Sequence, residues 1–401
     1  MKSGMRSSPG RPLALLFVIV ACLGALAGCG GSSGDGTSTS SPSQAALVPW
    51  PLFGRVPERT HYLPAKERFL DPPLKQAWSI NTHALIEFPP AIANGVAYVV
   101  NKYGNAKAVR LGDRKILWER NTNPQDKGKP TDVTGPVYHE GKVFFADVDG
   151  DLVAVDAGSG KEVWKRKLVG HLESSPMAVG GTLYLGTDKT NVVAVRASDG
   201  KVLWQFNSPA AIKASPSFHD GRLYVADYES GVFCLDARDG KLIWRTNTSK
   251  VPPFGEGGFF SSPAIAFGRV YAARDDGTVF AFDEKDGKVE WSFPTNNFIY
   301  GSPAVARVPG TPPSVYIGSY DEHLYALDAR SGKQRWRYDI GGPVPGTATV
   351  IGHTVYASSF KTRETIGVDA RSHRKTFAVK QAGYTPMVSD GRRLYLMATT
   401  S

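Results

Sequence analysis

Three sets of side chains in this 401-residue chain could do chemistry, and spacing decides what each can do. Asp147, Asp149 and Asp151 stand at alternate positions, as carboxylates do in a calcium loop. However, Gly150 falls too early for an EF-hand, and no bidentate Glu follows where one is needed. His139, His219 and His353 are scattered, and the other histidines do not cluster either, so no metal-ligand spacing emerges. Of three cysteines, Cys22 and Cys29 lie close to the N-terminus, which leaves Cys234 without a partner for an intramolecular disulfide. No Gly-rich phosphate loop and no Ser/His/Asp arrangement is present. The expectation is a chain with no catalytic residue, no bound cofactor and no metal.

The elements that would position these residues are repeats. Tryptophan marks the period at Trp78, Trp118, Trp164, Trp204, Trp244, Trp291 and Trp336, with Phe377 in the next slot, at intervals of 40, 46, 40, 40, 47, 45 and 41. Each interval carries the same internal order, as in Ser262-Pro263-Ala264, then Gly268-Arg269-Val270-Tyr271, then the run Thr278 to Asp283, then Gly287-Lys288-Val289-Glu290-Trp291. Short β-branched and aromatic runs between Asp-Gly and Gly-Lys turns predict four antiparallel strands per unit. Prolines at the first strand (Pro176, Pro216, Pro263, Pro303) stand where a missing N–H is tolerated. A four-stranded unit of this length is a propeller blade. Asp147 to Asp151 aligns with the Asp276-Gly277 turn of another blade, so it reads as a hairpin. The C-terminal segment has opening strands but no tryptophan strand, whereas Trp78 has the reverse. The prediction is therefore an all-β, eight-bladed β-propeller over residues 59–401, closed by a composite N/C-terminal blade. Residues 59–70 are the candidate for that blade's third strand.

The motif Ala-x-Asp-x-x-x-Gly-x-x-x-Trp, complete at Ala154 to Trp164, Ala281 to Trp291 and Ala326 to Trp336, resembles the tryptophan-docking motif of the pyrroloquinoline quinone (PQQ) repeat. The resemblance makes Trp118, Trp164, Trp204, Trp244, Trp291 and Trp336 blade-docking residues, and places Cys234 in a small-residue packing slot. Departures occur at Arg110, Arg196, Gly367, His373 and Phe377. Two groups share this repeat: quinoprotein alcohol dehydrogenases, and lipoproteins similar to the BamB family, scaffolds of outer-membrane protein assembly. In the enzymes the resemblance implies an adjacent-cysteine disulfide, calcium on Glu and Asn, and an Asp base. None of these can be placed here.

Lys2, Arg6 and Arg11 precede an apolar run from Leu13 to Leu26 that ends in Leu26-Ala27-Gly28-Cys29. This resembles a bacterial lipobox, so residues 1–28 are expected to be a lipoprotein signal peptide and Cys29 the acylated N-terminus. Residues 29–58 are then a tether and N-terminal segment, Gly-, Ser-, Thr- and Pro-rich up to Ala46. Losing three basic residues lowers the net charge from +10 to +7, mildly basic, and nothing in it calls for nucleic acid.

Sorted by face, one end of the ring carries a Gly-Lys or equivalent turn in every full blade (Lys115, Lys161, Lys201, Lys241, Lys288, Lys333, Lys375), ordinary solvated hairpins. The other end carries aromatic blade links: Phe254, Phe259, Phe260, Phe298, Tyr300 and Tyr384. Exposed aromatics anchor protein interfaces. The expected function is thus a non-catalytic, membrane-tethered, monomeric scaffold that binds envelope proteins outside the cytoplasm. The alternatives are a PQQ-dependent quinoprotein dehydrogenase, or a binder of cell-wall glycan.

Overall fold

The computed structural model describes residues 15–21, 48–64, 70, 73–122, 133–252, 255–380, 383 and 385–399. Its strands form eight sheets arranged as blades of a propeller. Seven blades are continuous antiparallel meanders, spanning residues 91–121, 137–167, 177–207, 217–247, 264–294, 304–339 and 349–379. The eighth combines Val388–Ser389 and Arg393–Thr399 with Lys75–Asn81 and, between them, Leu15–Ala21. The expected composite blade is present. Its third strand is Leu15–Ala21, not residues 59–70.

Within each continuous blade the second and third strands are almost wholly buried and the fourth faces solvent, as in Asp151–Asp156 against Glu162–Lys167. In all seven continuous blades the third and fourth strands slip register just after the small residue opposite the aromatic, as between Ala154 and Val155 where Ala154 pairs with Trp164. The small side chain leaves room for the indole, and the bulge turns it toward the next blade. There Trp118, Trp164, Trp204, Trp244 and Trp291 each meet a turn glycine: a Cβ on Gly160 would stand 2.6 Å from Trp118 Cδ2. Trp118 Nε1 also donates to the Ala157 carbonyl at 2.9 Å, and Trp164 and Trp204 repeat this with Ala197 and Ala237. Two blades depart from this: Arg114 stands in the glycine's place in the first, and His373 does so in the seventh, its ring 5.4 Å from that of Trp336. Cys234 is buried opposite Trp244.

Ring closure is apolar. One buried cluster joins Ile92 and Val99 of the first blade, Tyr356 and Phe377 of the seventh, and Trp78, Leu394 and Leu396 of the eighth.

The chain from Val48 to Leu63 runs around the inside of the tunnel and bonds one blade after another. Val48 N donates to Asp390 O, Trp50 bridges Ile92, and Tyr138 N donates to Pro51 O. Phe218, Ile265, Val305 and Val350 then donate to the carbonyls of Pro57, Glu58, Thr60 and His61 at 2.9–3.0 Å. Inner-strand edges that face the tunnel are paired in this way. The described part of the N-terminal segment is thus built into the propeller from Val48 onward.

Candidate functional site

The closing segment turns sharply at Gly54 (φ +85°), where a Cβ would lie 2.7 Å from Arg59 Cα. That turn drives Arg59 into the interior. Its Nε donates to Pro216 O at 2.6 Å, Nη1 to Phe53 O at 2.6 Å, and Nη2 to Ser175 O and Pro176 O at 3.2 and 3.3 Å. The last two bonds engage the third blade, which the backbone of the segment leaves out. All these acceptors are carbonyls. Burial pushes the guanidinium down to about 9, so it stays cationic at neutral pH. His61 beside it is pushed down to about 3 by burial and by the Arg59 charge, and is therefore neutral. A buried cation with no carboxylate among its described partners sets a positive potential at the tunnel floor.

Along the tunnel runs a belt of hydroxyls, one on each of five successive blades. Gly135 N donates to Ser175 Oγ, Ser175 N to Ser215 Oγ, Ser215 N to Ser262 Oγ, Ser262 N to Ser302 Oγ, and Ser302 N to Thr347 Oγ1, at 2.8–3.1 Å. Each hydroxyl accepts a neighbour's N–H, which leaves its own O–H to donate. A cavity of about 580 Å³ opens above the belt, lined by Ser215, Ser262, Ser302 and Thr347, with Phe53 from the closing segment. Thr134 also lines it, and its buried hydroxyl has no hydrogen-bond partner among the described residues.

The blade links supply the rim: Glu87, Glu173, Lys213, Phe260 and Tyr300. Lys213 Nζ lies 3.3 Å from Glu173 and over the rings of Tyr228 and Phe260, at 5.0 and 5.5 Å. Phe260 meets Tyr228 and Tyr300 edge-on at 4.8 and 5.2 Å, and Phe298 stacks on Tyr300 at 6.3 Å. The site can therefore hold a small, flat, polar molecule between rings, hydroxyl donors and the charged side chains of Lys213, Glu87 and Glu173. Its volume lies within the ~300–1,000 Å³ of small-molecule sites.

Of the expected partner-binding aromatics, Phe298 and Tyr300 are exposed (53% and 39%), and Phe260 belongs to the cavity rim. Phe259 does not fit: it is 0% exposed and packs 6.3 Å from Phe280 in the core. Phe254, Tyr384 and Cys29 lie outside the described residues. Asp147 to Asp151 is a turn, with Asp147 Oδ1 accepting from Asp151 N at 2.9 Å and Asp151 paired with Lys165. His139 accepts from Gly181 N and His219 bonds Glu284, each across to the following blade, while His353 lies 2.9 Å from Asp369 in its own, so the three stand on separate blades. Among the described residues no group of three or more His, Cys, Asp or Glu could hold a metal ion. The hydroxyl belt is absent from the sequence reading, although the Ser-Pro pair before the first strand of four successive blades carried most of it.

Eight blades, docking tryptophans and a polar central cavity define a PQQ-like repeat propeller. The family profile described as "Outer membrane protein assembly factor BamB" matches residues 102–213 and 188–401, and the chain belongs to that family. Among curated proteins, 1-butanol dehydrogenase (cytochrome c) of Thauera butanivorans is 35% identical over 136 residues, 32% of this chain and 20% of that protein. The dehydrogenase subunit of alcohol dehydrogenase (quinone) of Gluconobacter oxydans is 30% identical over 168 residues, 37% of this chain and 22% of that protein. The chain thus matches about a fifth of the length of these relatives. A europium-containing methanol dehydrogenase superposes with a TM-score of 0.72 at 14% identity, covering 86% of this chain and 87% of that one. BamB from Moraxella catarrhalis does so with a TM-score of 0.63 at 14% identity, covering 78% and 96%. Both structural likenesses establish the fold. The sequence relatives overturn the expected non-catalytic scaffold: they are dehydrogenases, and they favour the quinoprotein alternative instead.

Proposed function

We propose that this propeller works as a quinoprotein-type oxidoreductase, with the central cavity seating a small planar anionic quinone such as PQQ next to an alcohol. One observation carries the reading beyond kinship: a tunnel floor holding a buried cation, Arg59, beneath a belt of hydroxyls with O–H groups to donate. That donor set fits the carboxylates and carbonyls of such a quinone. Bound there, the quinone supplies a two-electron acceptor for oxidation of an alcohol to a carbonyl.

The chain's own contribution is binding, orientation and proton removal. Ser215, Ser262, Ser302 and Thr347 donate to the anion's oxygens, and Phe260 and Phe53 offer ring faces and edges to its plane. Lys213 adds a cation at the rim. Glu87 and Glu173 are the lining carboxylates that the chain offers to take the hydroxyl proton. The donors do not fit a calcium ion, so no step is routed through one. Placement at a bacterial membrane, outside the cytoplasm through a lipid on Cys29, is part of the same proposal and rests on the Leu26 to Cys29 pattern.

Titration with PQQ, followed by tryptophan quenching and by reduction of an artificial dye with a primary alcohol, tests the reading. Saturable one-to-one binding is expected, weakened on the order of tenfold by Lys213→Met, together with alcohol-dependent dye reduction that is lost in Glu87→Gln or Glu173→Gln. Absence of binding at any ratio, with a folded protein, overturns it.

A further inference from the structure

Seven blades draw their four strands from one continuous stretch of chain, whereas the eighth borrows its third strand from Leu15–Ala21. Residues 15 to 21 pair in unbroken register with Thr399 to Arg393 on one side. On the other side, Leu16 to Ala21 pair with Asn81 to Lys75 across one bulge. An interior strand satisfies backbone groups on two edges at once, so its loss uncovers both. The gap it fills is two strand spacings wide, roughly 9–10 Å. Trp78, Leu394, Leu396 and Met397 from the flanking strands belong to the apolar cluster that closes the ring.

These seven residues also lie within the apolar run upstream of Cys29 that reads as an export segment. Cleavage ahead of Cys29 takes the strand away. The Gly-, Ser- and Pro-rich residues 30–46 have the wrong composition to replace it. We propose that the gap between Lys75–Asn81 and Arg393–Thr399 is a strand-acceptor site for an extended, apolar, β-forming segment of about seven residues. Leu15–Ala21 fills it in the unprocessed chain. Once residues 1–28 are removed, a strand of the same chemistry from an envelope protein fills it by backbone pairing on both edges. The seated strand itself defines what the site accepts, and the inference stands apart from the cavity and its ligand.

Hydrogen exchange in the full-length chain reads the site directly. Val18→Pro removes one backbone donor from the middle of the strand. It is expected to speed exchange of residues 75–81 and 393–399 on the order of tenfold or more, with the other blades unchanged. Phe17→Gly with Ile19→Gly weakens the same strand without removing a donor, and carries the same expectation at smaller size should the proline variant fail to fold. A peptide of residues 14–21 with terminal lysines should restore protection to either variant, while the same peptide with proline in place of Val18 should not. The peptide should likewise protect both segments in membrane-extracted protein whose mass shows that residues 1–28 are gone. Unchanged exchange in the variants overturns the proposal, as does a peptide that protects neither form.

Discussion

Replacing Gly200 by Ala puts a number on the blade-docking mechanism. A Cβ at this position would lie 2.7 Å from Trp164 Cε3, and the residue has φ +72°. Two costs follow. The left-handed backbone costs an L side chain about 1–2 kcal/mol. Overpacking against a half-buried indole adds about 1–3 kcal/mol, because the ring is held by its bond to the Ala197 carbonyl at 3.0 Å and cannot retreat without losing it. Gly221 separates the two, since it has the same φ of +72° and nothing within 4 Å of its Cβ position. Gly221→Ala therefore carries the backbone cost alone. Chemical denaturation followed by tryptophan fluorescence should place Gly200→Ala about 1–3 kcal/mol below Gly221→Ala. Adding Trp164→Phe to Gly200→Ala should recover part of that difference, because a smaller ring leaves room for the methyl. Equal stability of the two glycine variants would refute the claim that indole-on-glycine contact, rather than turn conformation, holds the blades together.

Two further outcomes concern titratable groups. Burial raises the Asp147 carboxyl to about 6. A folded-state value above the unfolded one gives stability that is present at low pH and is lost as pH rises from about 4 through 6, at most about 3 kcal/mol. Asp147→Asn keeps the bond from Asp151 N and should flatten that part of the stability profile; an unchanged slope between pH 4 and 7 counts against burial as the cause. Burial also pushes the Cys234 thiol up to about 12. Peptide mapping after alkylation at pH 8 should find Cys234 unmodified in the folded protein and modified in step with unfolding.

What the sequence made legible was what recurs. The tryptophan period, the glycine of the docking motif and the split closing blade are all visible in the repeat, which recurs often enough that a substitution such as His373 or Cys234 still reads against its neighbours. The segment from Val48 to Leu63 has no such support. Carbonyls spaced along it bond one blade after another, so its conformation is set by a ring that exists only after folding, and no period or propensity marks it. Arg59 reads as one more surface charge for the same reason. The belt serines were legible in principle, since Ser175, Ser215, Ser262 and Ser302 each precede a proline at the repeat period. The prolines draw attention to strand initiation, and the hydroxyl's bond to the next blade is invisible in a single repeat.

Leu15–Ala21 shows a different limit. An apolar β-branched run behind basic residues satisfies the chemistry of an export segment and of a buried strand equally well, because both need only a short stretch with no charge. The same duality runs through the function. Docking tryptophans and glycines build the ring whatever its task, so the repeat motif defines the family and leaves the activity open. The proposed activity rests on what faces the tunnel: a cation with carbonyl partners, hydroxyls that recur with the blades, and link-borne Glu87, Glu173 and Lys213. The intervals between indoles never exceed 47 residues, which leaves the links short. A chain with short links has to build its ligand site from the inner ends of the blades and from its own closing segment, and those are the elements that line the cavity here.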